Sequence, residues 1–187
     1  VLYGVPVGPS KLAELDQLAK DVTIRLLIDN SEHVSILSQY KRCPENHGKP
    51  WSVFIKLDMG TFRAGLPLHS PALGELVHAA EDSSGVEIYG FYSYSAKASA
   101  GRSVEDAETV LQEHIKGVLQ ASKLVRDQTL PLTLSIGSSP TARVIGPIRE
   151  QIGANIKFEI HAGQSKRLKI NPLGEVFLIK QRDRDLQ

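Results

Sequence analysis

With 187 residues, 41% hydrophobic and 23% charged, the chain has the length and composition of one globular domain with a sizeable core, which excludes disordered and fibrous classes. The net charge of +1 excludes a strongly basic nucleic-acid binder, no apolar run approaches the roughly 20 residues of a membrane helix, and a lone cysteine, Cys43, excludes an internal disulfide framework. These features point to a cytoplasmic setting, and the opening "VLYGV" reads as the middle of a fold, so the chain is expected to be a fragment.

In chain order, "VLYGV" (1–5) is the first strand candidate, followed by a helix that Ser10 can cap and that carries Leu12, Leu15 and Leu18. "VTIRLLI" (22–28) is the second strand, and Ser31 can cap a helix with Val34 and Leu37. "WSVFIKL" (51–57) is the third. Ser70 and Pro71 form an N-cap and first-turn proline ahead of Leu73, Leu76, Val77 and Ala80. "VEIYGFY" (86–92) is the fourth strand, and Ser103 with Asp106 resembles a capping box for a helix carrying Leu111, Ile115, Val118 and Leu119. "LTLSI" (132–136) and "IKFEI" (156–160) complete six strands.

Alternation of strands and helices predicts an α/β fold with a parallel sheet. No glycine-rich GxGxxG turn follows the first strand, which favours a TIM-type (β/α) barrel over a doubly wound sheet; about six parallel strands make it partial, with open edges that favour a homo-oligomer. The expected organisation is a partial barrel over 1–163 and a divergent basic tail over 164–187. The tail carries a net charge of +3 against −2 for the rest, a surplus that a solvated tail explains without nucleic acid or a membrane.

Barrel chemistry sits on the loops after the strands' C-terminal ends. The third strand leads into "KLDMGTFRAGL", whose Lys56, Asp58 and Arg63 suit either an anion site or a structural ion pair of Asp58 with Arg63 or Lys56. The fourth leads into "GFYSYSAKAS", where Tyr92 and Tyr94, two apart, point the same way and can face a planar ligand or cap a core. The fifth leads into "GSSPT", a turn or a phosphate cradle of freed backbone N–H groups and hydroxyls. Cys43 and His47 are too few for a zinc site.

Together, "LYGVPVGPSKL", "WSVFIKLDMGTFRAGL", "VEIYGFY", "LSIGSSPTA" and "FEIHAG" resemble fungal members of the D-serine dehydratase and D-threonine aldolase-like family, which has an alanine racemase type of N-terminal barrel. The resemblance covers residues 1 to about 163. It implies a lyase acting on D-amino acids with pyridoxal phosphate as cofactor. It also implies Tyr92, Ser139, Gly163 and Gln164 as cofactor-binding positions, Ser139 supplying a hydroxyl to the phosphate. Zinc or another divalent metal belongs, on the same resemblance, to a C-terminal domain absent here.

Departures accompany the likeness. The family's cofactor-linked lysine lies upstream of the stretch resembling "LYGVPV", and Lys56 falls in a different motif, so no catalytic residue is assigned. After Tyr92 the family reads approximately Tyr-Ala-His-x-Gly-x-x-Tyr, whereas Tyr94, Ala96 and Ser99 stand at the last three named positions, and Gln164 and Ser165 replace Asn and Tyr after Gly163. Two expectations follow: part of a D-amino acid lyase, inactive alone, or a non-catalytic phosphate- or cofactor-binding relic.

Overall fold

A computed structural model describes residues 1–95, 103–138, 141, 144 and 157–161. The tail after 163 lies outside them. Seven strands form one parallel sheet: β1 (Leu2–Pro6), β2 (Arg25–Ile28), β3 (Trp51–Asp58), β4 (Leu66–Pro67), β5 (Val86–Tyr94), β6 (Thr133–Gly137) and β7 (Lys157–Ile160). Six run in the order β1-β2-β3-β5-β6-β7 and curl into a half-barrel. The two-residue β4, which the sequence did not announce, pairs with the end of β3 through Leu57 and Asp58.

Among the described residues, four α-helices, α1 (Pro9–Leu18), α2 (Ser31–Gln39), α3 (Pro71–Glu81) and α4 (Val104–Ser122), follow β1, β2, β4 and β5. Ser70 and the Ser103–Asp106 capping box hold their expected places. Two other caps differ. Pro9, whose fixed φ suits a first helical turn, starts α1 ahead of Ser10, so Gly8 is the N-cap. Asn30, not Ser31, caps α2 by accepting the His33 N–H at 3.0 Å. Leu18 is 49% exposed, because two three-residue steps leave it far round the helix from Leu12. The second strand begins at Arg25 because Asp21 and Val22 still bond back to the last turn of α1.

Period-2 alternation sorts the side chains between two faces. Val53, Ile55 and Leu57 of β3, Phe91 of β5, and Leu134 and Ile136 of β6 pack in a buried core with Leu73, Leu76 and Val77 of α3 and Leu111 and Val118 of α4. The other, concave face carries a smaller apolar floor of Leu27, Phe54 and Tyr92, with Leu2 and Tyr89 against it. A bulge makes Tyr89 the extra residue between the pairs Val53–Ile88 and Phe54–Gly90, and its ring meets Phe54 edge-on at 5.1 Å. Among the described residues, β1 and β7 each pair on one side only. No helix of the described residues is long and apolar enough to cross a membrane.

At the opposite end from the site loops, Asp16 anchors the chain between α2 and β3. Its buried carboxylate accepts from Arg42 Nε (2.8 Å), the Cys43 backbone N–H (2.6 Å) and Asn46 Nδ2 (2.9 Å), while the Arg42 guanidinium lies 3.8 Å over the Trp51 ring. Cys43 Sγ accepts weakly from Asn46, which ties the thiol into this same cluster. Burial alone would raise the Asp16 pKa, but the hydrogen bonds from Cys43, Arg42 and Asn46 outweigh it and hold the carboxyl below its ordinary value. A carboxyl lowered in this way stabilises the fold above the unfolded pKa of roughly 3.9, and that contribution is lost as pH falls through the lower folded value. Asp16→Ala should therefore cost about 3 kcal/mol near neutral pH, the scale for breaking a buried ion pair. In denaturant titrations the gap between wild type and variant should narrow below roughly pH 4; a gap that stays constant down to pH 3 would refute the anchor's charge.

Candidate ligand site at the strand ends

The strand ends of β2, β3, β5, β6 and β7 bring one polar cluster onto the concave face. Asp58 ends β3, and its carboxylate accepts four hydrogen bonds from the loop that follows: the backbone N–H groups of Gly60 (3.1 Å), Thr61 (2.8 Å) and Phe62 (2.9 Å), and Thr61 Oγ1 (2.9 Å). The structural reading of Asp58 is therefore right in kind and wrong in partner. Neither Arg63 nor Lys56 forms an ion pair with it; three loop donors meet Oδ1 and the Phe62 N–H meets Oδ2. Burial would raise its pKa, yet these bonds keep the carboxyl below the ordinary value. They also hold Phe62 at φ 54, a left-handed conformation that a bulky residue rarely adopts, with its ring 90% exposed.

Asp29, at the end of β2, is engaged in the same manner. Its Oδ2 accepts the Gly65 N–H at 3.1 Å and its Oδ1 accepts Asn30 Nδ2 at 3.2 Å, with His33 Nδ1 3.5 Å from the same Oδ1. Position 65 requires glycine twice over. Its φ is +105°, and a β-carbon there would lie 2.7 Å from the Leu57 carbonyl carbon.

Lys56 stands between these carboxylates on the concave side of β3, half-buried and paired in register with Tyr92 of β5. Burial pushes its ammonium pKa down, Asp29 opposes that shift, and Arg63 adds to it.

Tyr92 and Tyr94 point the same way, as their spacing demands. Both rings stack with His161, at the C-terminal end of β7: Tyr92 at 4.3 Å and 8° between planes, Tyr94 at 6.4 Å and 18°. Tyr92 is 8% exposed and its phenol pKa is raised by burial, then by Tyr94, whereas Tyr94 is 43% exposed. His161 is 5% exposed; its Nδ1 meets Ser135 Oγ at 3.2 Å, and its Nε2 has no hydrogen-bond partner among the described residues. The Ser135 hydroxyl and His161 Nδ1 share this hydrogen bond, and the ring tautomer sets which of them donates. Burial first, and then the fields of His114 and Lys56, push the His161 pKa down to about 3, against a weaker opposing effect of the Gly137 backbone. The imidazole is therefore held neutral beside the two tyrosine rings.

This arrangement depends on Gly137. A β-carbon there would stand 2.2 Å from the His161 carbonyl oxygen, at a φ of +154°. The loop beyond answers half of the turn-or-cradle question. The Ser138 N–H donates to Thr141 Oγ1 at 2.8 Å, and the Thr141 hydroxyl returns to the Ser138 carbonyl at 3.0 Å, so both ends of the loop are spent on a turn. Ser139, Gly163 and Gln164 lie outside the described residues, and of the four expected cofactor-binding positions Tyr92 alone can be placed. His161 and Ser135 are the site residues that sequence reasoning passed over. The signal was available in parity: Ser135 and Gly137 alternate on β6, and Glu159 and His161 alternate on β7. On the helix-covered face, Ser93 Oγ meets His114 Nδ1 at 2.7 Å, a buried tie between β5 and α4. Among the described residues, no group of three or more His, Cys, Asp or Glu side chains could hold a metal ion.

Comparison with known proteins gives three kinds of likeness. Residues 5–149 match the family model described as "Alanine racemase, N-terminal domain". D-serine dehydratase from Schizosaccharomyces pombe is 37% identical over 169 residues, covering 87% of this chain and 41% of the relative. D-serine dehydratase from Saccharomyces cerevisiae is 37% identical over 152 residues, covering 76% of this chain and 35% of that protein. The chain thus spans less than half the length of either relative. In fold, it matches the structure of D-threo-3-hydroxyaspartate dehydratase from Delftia sp. HT23 with a TM-score of 0.71 at 21% identity, over 87% of this chain and 41% of that one.

The neutral state of His161 has a measurable consequence. A histidine held at about 3 in the fold leaves stability intact above the unfolded value of roughly 6.5 and removes it progressively as pH falls below that, by about 2 kcal/mol between pH 6.5 and 5. His161→Phe keeps a ring against Tyr92 and should flatten this acid-side decline in urea titrations. Parallel declines for wild type and variant would show that the fold does not displace the His161 pKa from its unfolded value.

Proposed function

Because the chain belongs to the alanine racemase N-terminal domain family, we propose that it is the barrel portion of a pyridoxal-phosphate-dependent lyase acting on a D-amino acid, with D-serine as the preferred substrate. The two relatives at 37% identity, both D-serine dehydratases, support that choice of substrate over D-threonine. The observation that carries the cofactor is the buried Nε2 of His161, a ring nitrogen without a partner among the described residues, beside the near-parallel Tyr92 ring at the strand ends. A planar heterocycle bearing polar atoms suits such a wall, since an unpaired buried polar group costs roughly 1–3 kcal/mol until a ligand satisfies it.

In this reading Tyr92 and His161 form the wall against which the cofactor lies, and Ser135 orients the imidazole. With Ser138 and Thr141 bonded to each other, the hydroxyl offered to the phosphate is that of Ser139, joined by backbone N–H groups at Gly163 and Gln164. The cofactor, when bound, supplies an electron sink for the loss of the α-proton and then of the substrate's hydroxyl group. The concave floor of Leu27, Phe54 and Tyr92 excludes water from one side of that chemistry. Residues 1–163 form the working barrel portion, and any metal is held by another domain.

By itself the chain holds one wall of the site and turns over no substrate. Lys56 is the lysine beside Tyr92 on the concave face, and it falls in the "KLDMGTFRAGL" motif rather than in the cofactor-linked position.

Two experiments test these statements. Ser139→Ala should weaken pyridoxal phosphate binding by about ten- to a hundredfold, the scale of one hydrogen bond to a charged group, with an unchanged melting temperature; equal affinities would reduce "GSSPT" to a turn. Borohydride reduction with pyridoxal phosphate should label no single lysine stoichiometrically, and steady ammonia release from D-serine by this chain would disprove its incompetence.

A further inference from the structure

The two carboxylates whose fields reach Lys56 both accept hydrogen bonds from other donors. Asp58 accepts four hydrogen bonds from the loop after β3, and Asp29 accepts the Gly65 N–H at Oδ2 and the Asn30 amide at Oδ1, with His33 beside Oδ1. Their geometry closes the turns at 58–65 and leaves neither within ion-pair distance of Lys56, whose Nζ has no hydrogen-bond or ion-pair partner among the described residues. A half-buried ammonium is thus left on the concave face, in register with Tyr92, with Arg63 adding positive field from the adjoining loop. The fields of Asp29 and Asp58 offset part of the burial cost of this ammonium, and a bound anion in direct contact would offset more.

We propose that Lys56 is the binding residue for the α-carboxylate of the amino acid substrate. This rests on reading the strand ends as a cofactor-dependent amino acid site. The sheet order favours a carboxylate over the cofactor's phosphate: Lys56 is on β3, whereas the proposed phosphate grip follows β6 and β7, with β5 and Tyr92 between. Two strand spacings separate β3 from β6, roughly 10 Å. A phosphate held at the far side of Tyr92 leaves Lys56 to a second anionic group on the near side. Burial also lowers the Lys56 pKa, so its amine is expected to react faster with acylating reagents near neutral pH than exposed lysines do.

Acetic anhydride labelling of the wild-type chain, mapped by peptide mass spectrometry, reads this state directly. With pyridoxal phosphate present, D-serine should slow acetylation of Lys56 at least about fivefold. Serinol, in which a hydroxymethyl group replaces the carboxylate, should not slow it, and neither should inorganic phosphate. Calorimetric titration of the cofactor-loaded chain supplies the second measurement: Lys56→Gln should weaken D-serine binding roughly 10- to 100-fold while leaving pyridoxal phosphate affinity within about twofold, and Lys56→Arg should recover most of the loss. Protection by inorganic phosphate or by pyridoxal phosphate alone would assign Lys56 to the cofactor and overturn the inference. Cofactor binding with no protection by D-serine would overturn it while leaving the proposed function standing. A wild-type chain that binds no pyridoxal phosphate would remove both.

Discussion

The candidate site hangs on one close approach of two backbones. At the end of β6 the chain turns at Gly137 so tightly against the His161 carbonyl that no β-carbon fits between them. That contact brings β7 near enough for the His161 N–H to reach the Ile136 carbonyl at 3.1 Å, and it puts the imidazole flat on Tyr92 of β5 with Ser135 at its Nδ1. Three strands thereby contribute to one aromatic wall. Any side chain at 137 would push β7 outward and separate all three.

The acidic residues show a consistent use. Asp16, Asp29 and Asp58 each direct a carboxylate into the backbone N–H groups of a loop, at the base of the sheet for Asp16 and at the strand ends for the other two. A carboxylate bonded to loop N–H groups is held rigid, and it fixes loop geometry that the loop's own sequence leaves open. The same economy leaves positive charge over at the strand ends, where Lys56 and Arg63 have no carboxylate committed to them.

Burial gives the two faces of the sheet opposite tasks. The helix-covered face is filled by apolar side chains, and Ser93 with His114 forms a hydrogen-bonded polar pair there. The concave face holds the groups whose ordinary titration is displaced, with Tyr92 raised, and Lys56 and His161 lowered. All three shifts have desolvation as their largest cause, and all three keep the neutral form within reach.

Strand and helix order was legible in the sequence because apolar alternation and helical spacing are local patterns, and all six long strands fall where those patterns place them. Caps were legible where a side chain had one available partner, as at Ser70 and Ser103, and misread where Pro9 or Asn30 competed with a neighbouring serine. The phosphate-binding residues expected at Ser139, Gly163 and Gln164 rest on motif resemblance, which is a statement about order along the chain. Tertiary structure decided what no local pattern encodes. Whether Asp58 would choose Arg63, Lys56 or four loop donors depended on how tightly the loop closes, and whether His161 would meet Tyr92 depended on two strands separated by more than sixty residues arriving in register around a glycine. Periodicity determines which face a side chain occupies; only the packed fold determines which other side chain it meets there.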